Sequence, residues 1–335
     1  MKPIAILNKD FDGVLRIEYI IGTLCNYKCH YCYDGCNDGK YRFPTDFNMV
    51  TKNLSHMLKI YKEHLGKQNV RINLTGGEPS LWPELGEFAE YFSKNHDCKI
   101  SIVTNASRTM RFWMEYAKYF DDISISVHNE FADVDHIIEV MDWVFYNTDV
   151  LINAQVLMDP LHWDRCVEIA EKMKAHPTPW VLKTKPIFTD GEIKGFTPEQ
   201  IAYTEQKMKK IPPVEWIQKQ RDLGRIQDSK SDMRVVMDSG EEIPADTFKV
   251  IQNGWHYFTG WDCNLGVDRF AIERDGVISG SCGARNMFGG VNRFSIYDPE
   301  FESKFTPDVI TTTRCQQLYC NCPTEVKIPK RKLNV

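Results

Sequence analysis

The sequence has no run of about eighteen apolar residues, so nothing in it reads as a membrane span. Its opening, MKPIAILNKDFDG, lacks the charged-then-apolar pattern of a secretory signal, and the expected location is cytoplasmic. A basic excess is also missing: 41 Lys and Arg stand against 46 Asp and Glu, a formal charge of −5. That balance excludes a general affinity for nucleic acid, which needs cations to displace phosphate counterions, but it does not exclude a nucleotide-sized substrate. There is no internal repeat and no low-complexity segment. With 42% hydrophobic and 26% charged residues, the 335-residue chain has the composition of a soluble globular protein, large enough to bury a sizeable core.

Cysteine, by contrast, is plentiful. Eleven are many where a reducing pool discourages disulfides, so metal binding or catalysis is the expected use. Cys25, Cys29, Cys32 and Cys36 crowd into one early segment, and Cys263, Cys282, Cys315, Cys320 and Cys322 fall in the last quarter. Two separate groups predict two metal centres.

From residue 15 to about 188, strand-like runs alternate with amphipathic helical ones. The strands are expected at 15–21, 70–76, 99–105, 122–128, 150–157 and 180–188. Helices are expected at 46–65, with Thr45 as N-cap and Gly66 past the end, and around 83–94, 109–120, 133–146 and 162–174. Six such units predict an α/β fold, a partial (β/α)6 TIM-like barrel of parallel strands. The C-terminal strand ends then form the active rim. Thereafter 197–222 reads as helix broken by Pro212 and Pro213, and 233–237, 248–251 and 268–279 read as strands, the last folded at Asp275-Gly276. The expected division is 1–190 core, 191–232 helical linker and 233–335 small α+β domain. The basic tail reads as a solvated terminus.

Cys25, Cys29 and Cys32 give the spacing CxxxCxxC in a loop after the first strand. Three thiolates can wrap a four-iron four-sulfur cube and leave one iron open. A structural zinc site built on the same loop would need a fourth ligand, His30 or Cys36. With Tyr31 before the last cysteine and Gly76-Gly77-Glu78-Pro79 after the second strand, the chain resembles the radical S-adenosylmethionine (SAM) superfamily over roughly residues 13–190. The resemblance implies a 4Fe-4S cluster on the three cysteines and SAM on its open iron. It further implies reductive cleavage of SAM to a 5′-deoxyadenosyl radical that takes hydrogen from a substrate, with an electron donor such as flavodoxin or ferredoxin. By position, Tyr31 would lie near the adenine, and Gly76, Gly77, Glu78 and Pro79 would meet the amino group. Asn105, Ser126 and Gln155 are further candidate cofactor contacts. Cys36 is expected to pack nearby, and Lys28 and His30 to act as spacers.

The later cysteines resemble the auxiliary-cluster region called SPASM or twitch, which implies a second 4Fe-4S cluster. Cys263, Cys282 and Cys320 are its expected ligands, with Cys315 and Cys322 competing for the last place; a zinc site is the alternative. The same resemblance points to a peptide or protein side chain as substrate, although only 24 residues precede Cys25, too few for a leader-recognition domain. The alternatives are a small molecule such as a nucleoside, sugar or cofactor precursor, and a noncatalytic electron-transfer module. His128, Lys183 and Lys185 are expected near the rim without an assigned role.

Overall fold

The computed structural model describes residues 2–33, 35–187, 195–205, 212–223, 232–280, 294–320, 322 and 324–333. After β1 (Pro3–Asn8), strands and helices alternate: β2 (Val14–Ile20), α1 (Phe47–Leu65), β3 (Asn69–Thr75), α2 (Leu85–His96), β4 (Lys99–Thr104), α3 (Met110–Tyr116), β5 (Asp122–Val127), α4 (Val134–Asn147), β6 (Leu151–Met158), α5 (Trp163–Ala175) and β7 (Val181–Pro186). Then follow α6 (Pro198–Glu205), α7 (Val214–Asp222), β8 (Met233–Met237), β9 (Glu242–Pro244), α8 (Thr247–Gln252), β10 (Asp262–Cys263), β11 (Arg269–Ile272), β12 (Ile278–Ser279), α9 (Phe301–Lys304), β13 (Thr313–Arg314) and β14 (Lys330–Arg331).

Strands β2 to β7 pair in chain order and in parallel; β11 extends the sheet in parallel beyond β2, and β12 closes that edge antiparallel to β11. Sequential order with right-handed crossovers puts every helix on one face. Burial follows suit. Ile17, Ile72 and Ile100 stand in one register row, and Tyr19, Leu74, Ile102, Ile123 and Ile152 in the next, all buried. The intervening residues on the other face are polar and half-buried, among them Glu18, Asn73, Ser101 and Ser124. This is the α/β parallel core that the alternation predicts.

The helices obey their caps. Asp46, not Thr45, caps α1 by accepting from the Met49 amide at 2.9 Å, and Gly66 closes it at φ 65°. Val50, Leu54, Met57, Leu58 and Tyr61 form its buried face.

A second sheet runs β13-β10-β14-β1-β8-β9, with Ile6, Val235, Phe258 and Val326 in its core. The two sheets cut across the expected boundaries. Strand β1 comes from the N-terminal segment yet pairs with β8 and β14, while β11 and β12 come from the last quarter yet join the parallel sheet. The 268–279 hairpin forms as expected, with Gly276 at φ 78°. The 248–251 strand does not: Asp246 accepts from the Lys249 amide at 2.7 Å and caps a short helix, α8. Among the described residues, no helix is long and apolar enough to cross a membrane.

Candidate functional site

At the C-terminal ends of the strands, Cys25, Cys29 and Cys32 line one cavity of about 270 Å³. Gly76, Gly77, Glu78, Asn105, Ser126, Tyr31 and His128 line it too. Pro79 and Gln155 do not: Pro79 is buried at the start of a 3-10 turn, and Gln155 donates to Ser124 Oγ at 3.1 Å, deeper on the inner face. Lys185 reaches the cavity, whereas Lys183 is exposed.

The glycine loop and the cysteine loop hold each other. Gly77 N donates to Gly22 O, and Glu78 N donates to Leu24 O, both at 2.9 Å. A Cβ on Gly76 would come 2.5 Å from Gly22 O, and one on Gly77 would come 2.4 Å from Leu24 O. The sequence places these glycines where a ligand must approach; the approach seen is that of backbone to backbone.

Glu78 is fully buried and occupied. Oε1 accepts from Thr104 Oγ1 at 2.6 Å and from Ser80 N at 2.9 Å, and Oε2 accepts from Asn105 N at 2.5 Å. Burial pushes its carboxyl above the ordinary range while those donors pull it back. It acts here as the fastener between the glycine loop and the end of β4. Asn105 in turn donates to Asn26 Oδ1 at 2.9 Å, inside the cysteine motif.

On the opposite wall, Tyr31 and His128 stack with rings 5.9 Å apart, and their polar atoms, Oη and Nδ1, meet at 3.0 Å. His128 Nδ1 also lies 3.4 Å from Cys29 Sγ, and burial depresses the imidazole to about 4, so it stands neutral. The Tyr27 ring stacks on Phe131 at 5.4 Å. His30 and Lys28 are not spacers. His30 contacts Glu130 Oε1 at 3.1 Å through Nδ1, and Lys28 donates to Asn37 O. The first contact reaches the loop after β5 and the second stays within the cysteine loop, and no pattern within the motif announces either.

Burial raises the Cys29 thiol to about 12 and Cys32 to about 11, and it raises Cys25 as well. Holding all three as thiolates, with Cys29 buried and Cys25 and Cys32 half-buried, therefore calls for a cation in their midst. The three sulfurs do not all lie within 4.8 Å of one another. The donor set, its spacing and the open side toward the glycine loop fit a cluster with a vacant iron.

The second group sits in and beside the second sheet. Cys263 is buried on β10, and its proton affinity is raised by burial and by nearby Cys315. Cys320 is pushed up to about 11 by burial, with Cys263 and Cys315 adding to the effect. Main-chain bonds hold the segment: Cys315 N donates to Trp261 O, and Cys320 N to His256 O, both at 2.9 Å. Cys322 Sγ lies 2.9 Å from Thr324 Oγ1. Cys282 lies outside the described residues.

Residues 19–144 match the Radical SAM superfamily model. The chain is 38% identical over 90 residues to an S-adenosylmethionine-dependent nucleotide dehydratase of a Thermoplasmatales archaeon, covering 27% of this chain and 29% of that protein. It is 31% identical over 111 residues to a GTP 3′,8-cyclase of Haemophilus ducreyi, covering 32% and 31%. The matches thus span about a third of the length of these relatives. A solved structure described as native anSMEcpe with bound AdoMet aligns with a TM-score of 0.44 at 14% identity, over 88% of this chain and 82% of that one. The matched stretch contains the cysteine loop, the glycine loop, Asn105 and His128, and residues 19–144 are a domain of the Radical SAM superfamily.

Proposed function

We propose that the chain is a radical SAM enzyme acting on a small, nucleotide-like molecule. The observation that carries the reading is the shared cavity in which Cys25, Cys29 and Cys32 face the glycine loop. A cluster held there with one open iron supplies, when bound, the electron that cleaves the sulfur–carbon bond of bound SAM. The chain's own part is to hold and to shape. The two glycines set the loop close to the cysteines, and Glu78 fixes its path, leaving main-chain carbonyls to accept from a bound amino group. Tyr27, Tyr31 and His128 give the cavity an aromatic wall for a flat base.

The relatives support the substrate class, since one is named for a nucleotide and the other for GTP. The peptide expected from the SPASM resemblance gains no such support, and the small-molecule alternative takes its place. Cys263, Cys315 and Cys320, near one another, support a second cluster, with Cys322 or Cys282 as its fourth ligand. A flavodoxin or ferredoxin would reduce the enzyme.

Anaerobic reconstitution with iron and sulfide, then SAM and a reductant, tests the proposal. 5′-Deoxyadenosine should form and should vanish in a folded Cys25→Ala variant. Undiminished product in that variant would end the reading.

A further inference from the structure

Outside the rim cavity, the cysteine loop meets a second set of side chains able to hold a metal. His30 does not line the cavity of the three cysteines; its ring instead meets the segments that follow β5 and β6. Asp159 comes directly after β6, and His162 ends the 3-10 turn Pro160–His162 that leads into α5. One nitrogen from each imidazole and one oxygen of Asp159 lie within 4.8 Å of one another. Two distant parts of the chain thus bring three donors together.

The surrounding hydrogen bonds leave the ligating atoms turned toward each other. Glu130 Oε1, which can only accept, lies 3.1 Å from His30 Nδ1, so Nδ1 carries the hydrogen and Nε2 keeps its lone pair. That Nε2 stands 3.8 Å from Asp159 Oδ2, too far for a hydrogen bond. A carboxylate on the far nitrogen is the usual support of a metal-binding imidazole. Asp159 is held firmly: it is fully buried, Oδ1 accepts from Leu161 N at 3.0 Å, Oδ2 accepts from Asn129 Nδ2 at 3.4 Å, and its own amide meets Cys166 Sγ at 3.3 Å. On its other side His162 Nδ1 stands 2.7 Å from Oδ2.

Two ligands on one zinc, with bonds of about 2.0–2.1 Å, stand about 3.4 Å apart. The observed 2.7 and 3.8 Å fall on either side of that separation, and the two imidazoles, 49% and 39% exposed, have room to turn. Hydrogen bonding to Asp159 accounts for His162 alone. A shared cation accounts for all three.

We infer that His30, Asp159 and His162 bind one dication of the zinc class, separate from the iron–sulfur cluster, with solvent completing its shell. Two imidazoles with one carboxylate suit zinc and disfavour magnesium and calcium, which take oxygen ligands. Because His30 sits between Cys29 and Cys32, the ion clamps the cysteine loop to the end of β6. The site stands on its own geometry, whatever the rim cavity acts on.

The test uses untagged, anaerobically reconstituted protein, dialysed with and without dilute zinc and counted for zinc and iron by elemental analysis. Zinc should be gained at about one per chain with iron unchanged, and an excess of magnesium should not displace it. His162→Ala and His30→Gln, each checked for folding by circular dichroism and for retained iron, should weaken zinc binding at least roughly tenfold. His162→Cys, which supplies another zinc ligand, should keep most of the affinity. Bound zinc should also slow the release of iron to a ferrous-selective chelator severalfold in the parent chain and not in His162→Ala. No gain of zinc, a gain only as iron is lost, displacement by magnesium, or unchanged affinity in both folded variants would overturn the site. Iron release indifferent to zinc would overturn the clamp.

Discussion

Arg274, on the hairpin turn between β11 and β12, donates from Nη1 to the carbonyl of Gly35 at 2.7 Å, next to Cys36. Its guanidinium also lies 5.3 Å from the centre of the Tyr41 ring. A residue from the last quarter of the chain thus steadies the loop that holds the first cysteines. Hydrogen bonds to charged groups contribute about 1.5–3 kcal/mol. Arg274→Ala should leave the fold intact and release iron to a chelator several times faster, as followed by absorbance; an unchanged release rate would show that the tether is idle.

Gly77→Ala should be far more damaging than its size implies. The added carbon meets Leu24 O at 2.4 Å, and backbone cannot swing aside as a side chain can. Overpacking costs about 1–3 kcal/mol. Thermal unfolding should shift down, and reconstitution should incorporate less iron at the first site.

Lys67 and Asp268 form a buried ion pair, 7% and 3% exposed, and Lys67 also donates to Phe11 O at 3.0 Å. Removing one partner strands the other charge. Lys67→Met should lose about 3–5 kcal/mol in urea unfolding. The double variant Lys67→Met/Asp268→Leu should recover part of that loss, and no recovery would mean that the pairing is not the cause.

Burial, opposed by the hydrogen bond from Asn153, lifts the Asp122 carboxyl from 3.8 to about 6. Between those values the folded chain keeps a proton that the unfolded chain has released. Stability should therefore fall as pH rises through that window, by about 3 kcal/mol at most. Asp122→Asn should flatten that portion of the urea-midpoint profile against pH.

Substituting Cys25, Cys29 and Cys32 together by alanine should leave roughly one cube, four irons, on the second group. Adding Cys320→Ser to that variant should remove it. Iron retained after all four changes would place the second cluster elsewhere.

Much of the core could be read in the sequence because its signals are local. Alternating burial in the Val14–Ile20 and Asn69–Thr75 strands follows from their period of two, and Asp275-Gly276 announces its own turn. What escaped depends on distant partners. Pro3–Asn8 becomes a strand only because Met233–Met237 and Lys330–Arg331 pair with it, and 248–251 becomes helix because Asp246 outweighs the strand-forming character of its residues. At the site, the cysteine spacing was visible. The engagement of Glu78 by Thr104 and Asn105 was not, because it joins the ends of two strands.

The placement of β11 beside β2 bears on how the chain is assembled. One margin of the parallel sheet is covered by residues made some 250 positions after the strand that they protect. Until those residues emerge, β2 presents bare amides and carbonyls to any passing strand, and distant pairing of this sort is slow to form. Residues 1–190 produced alone should expose that margin and self-associate, whereas the chain extended through β12 carries its own cover.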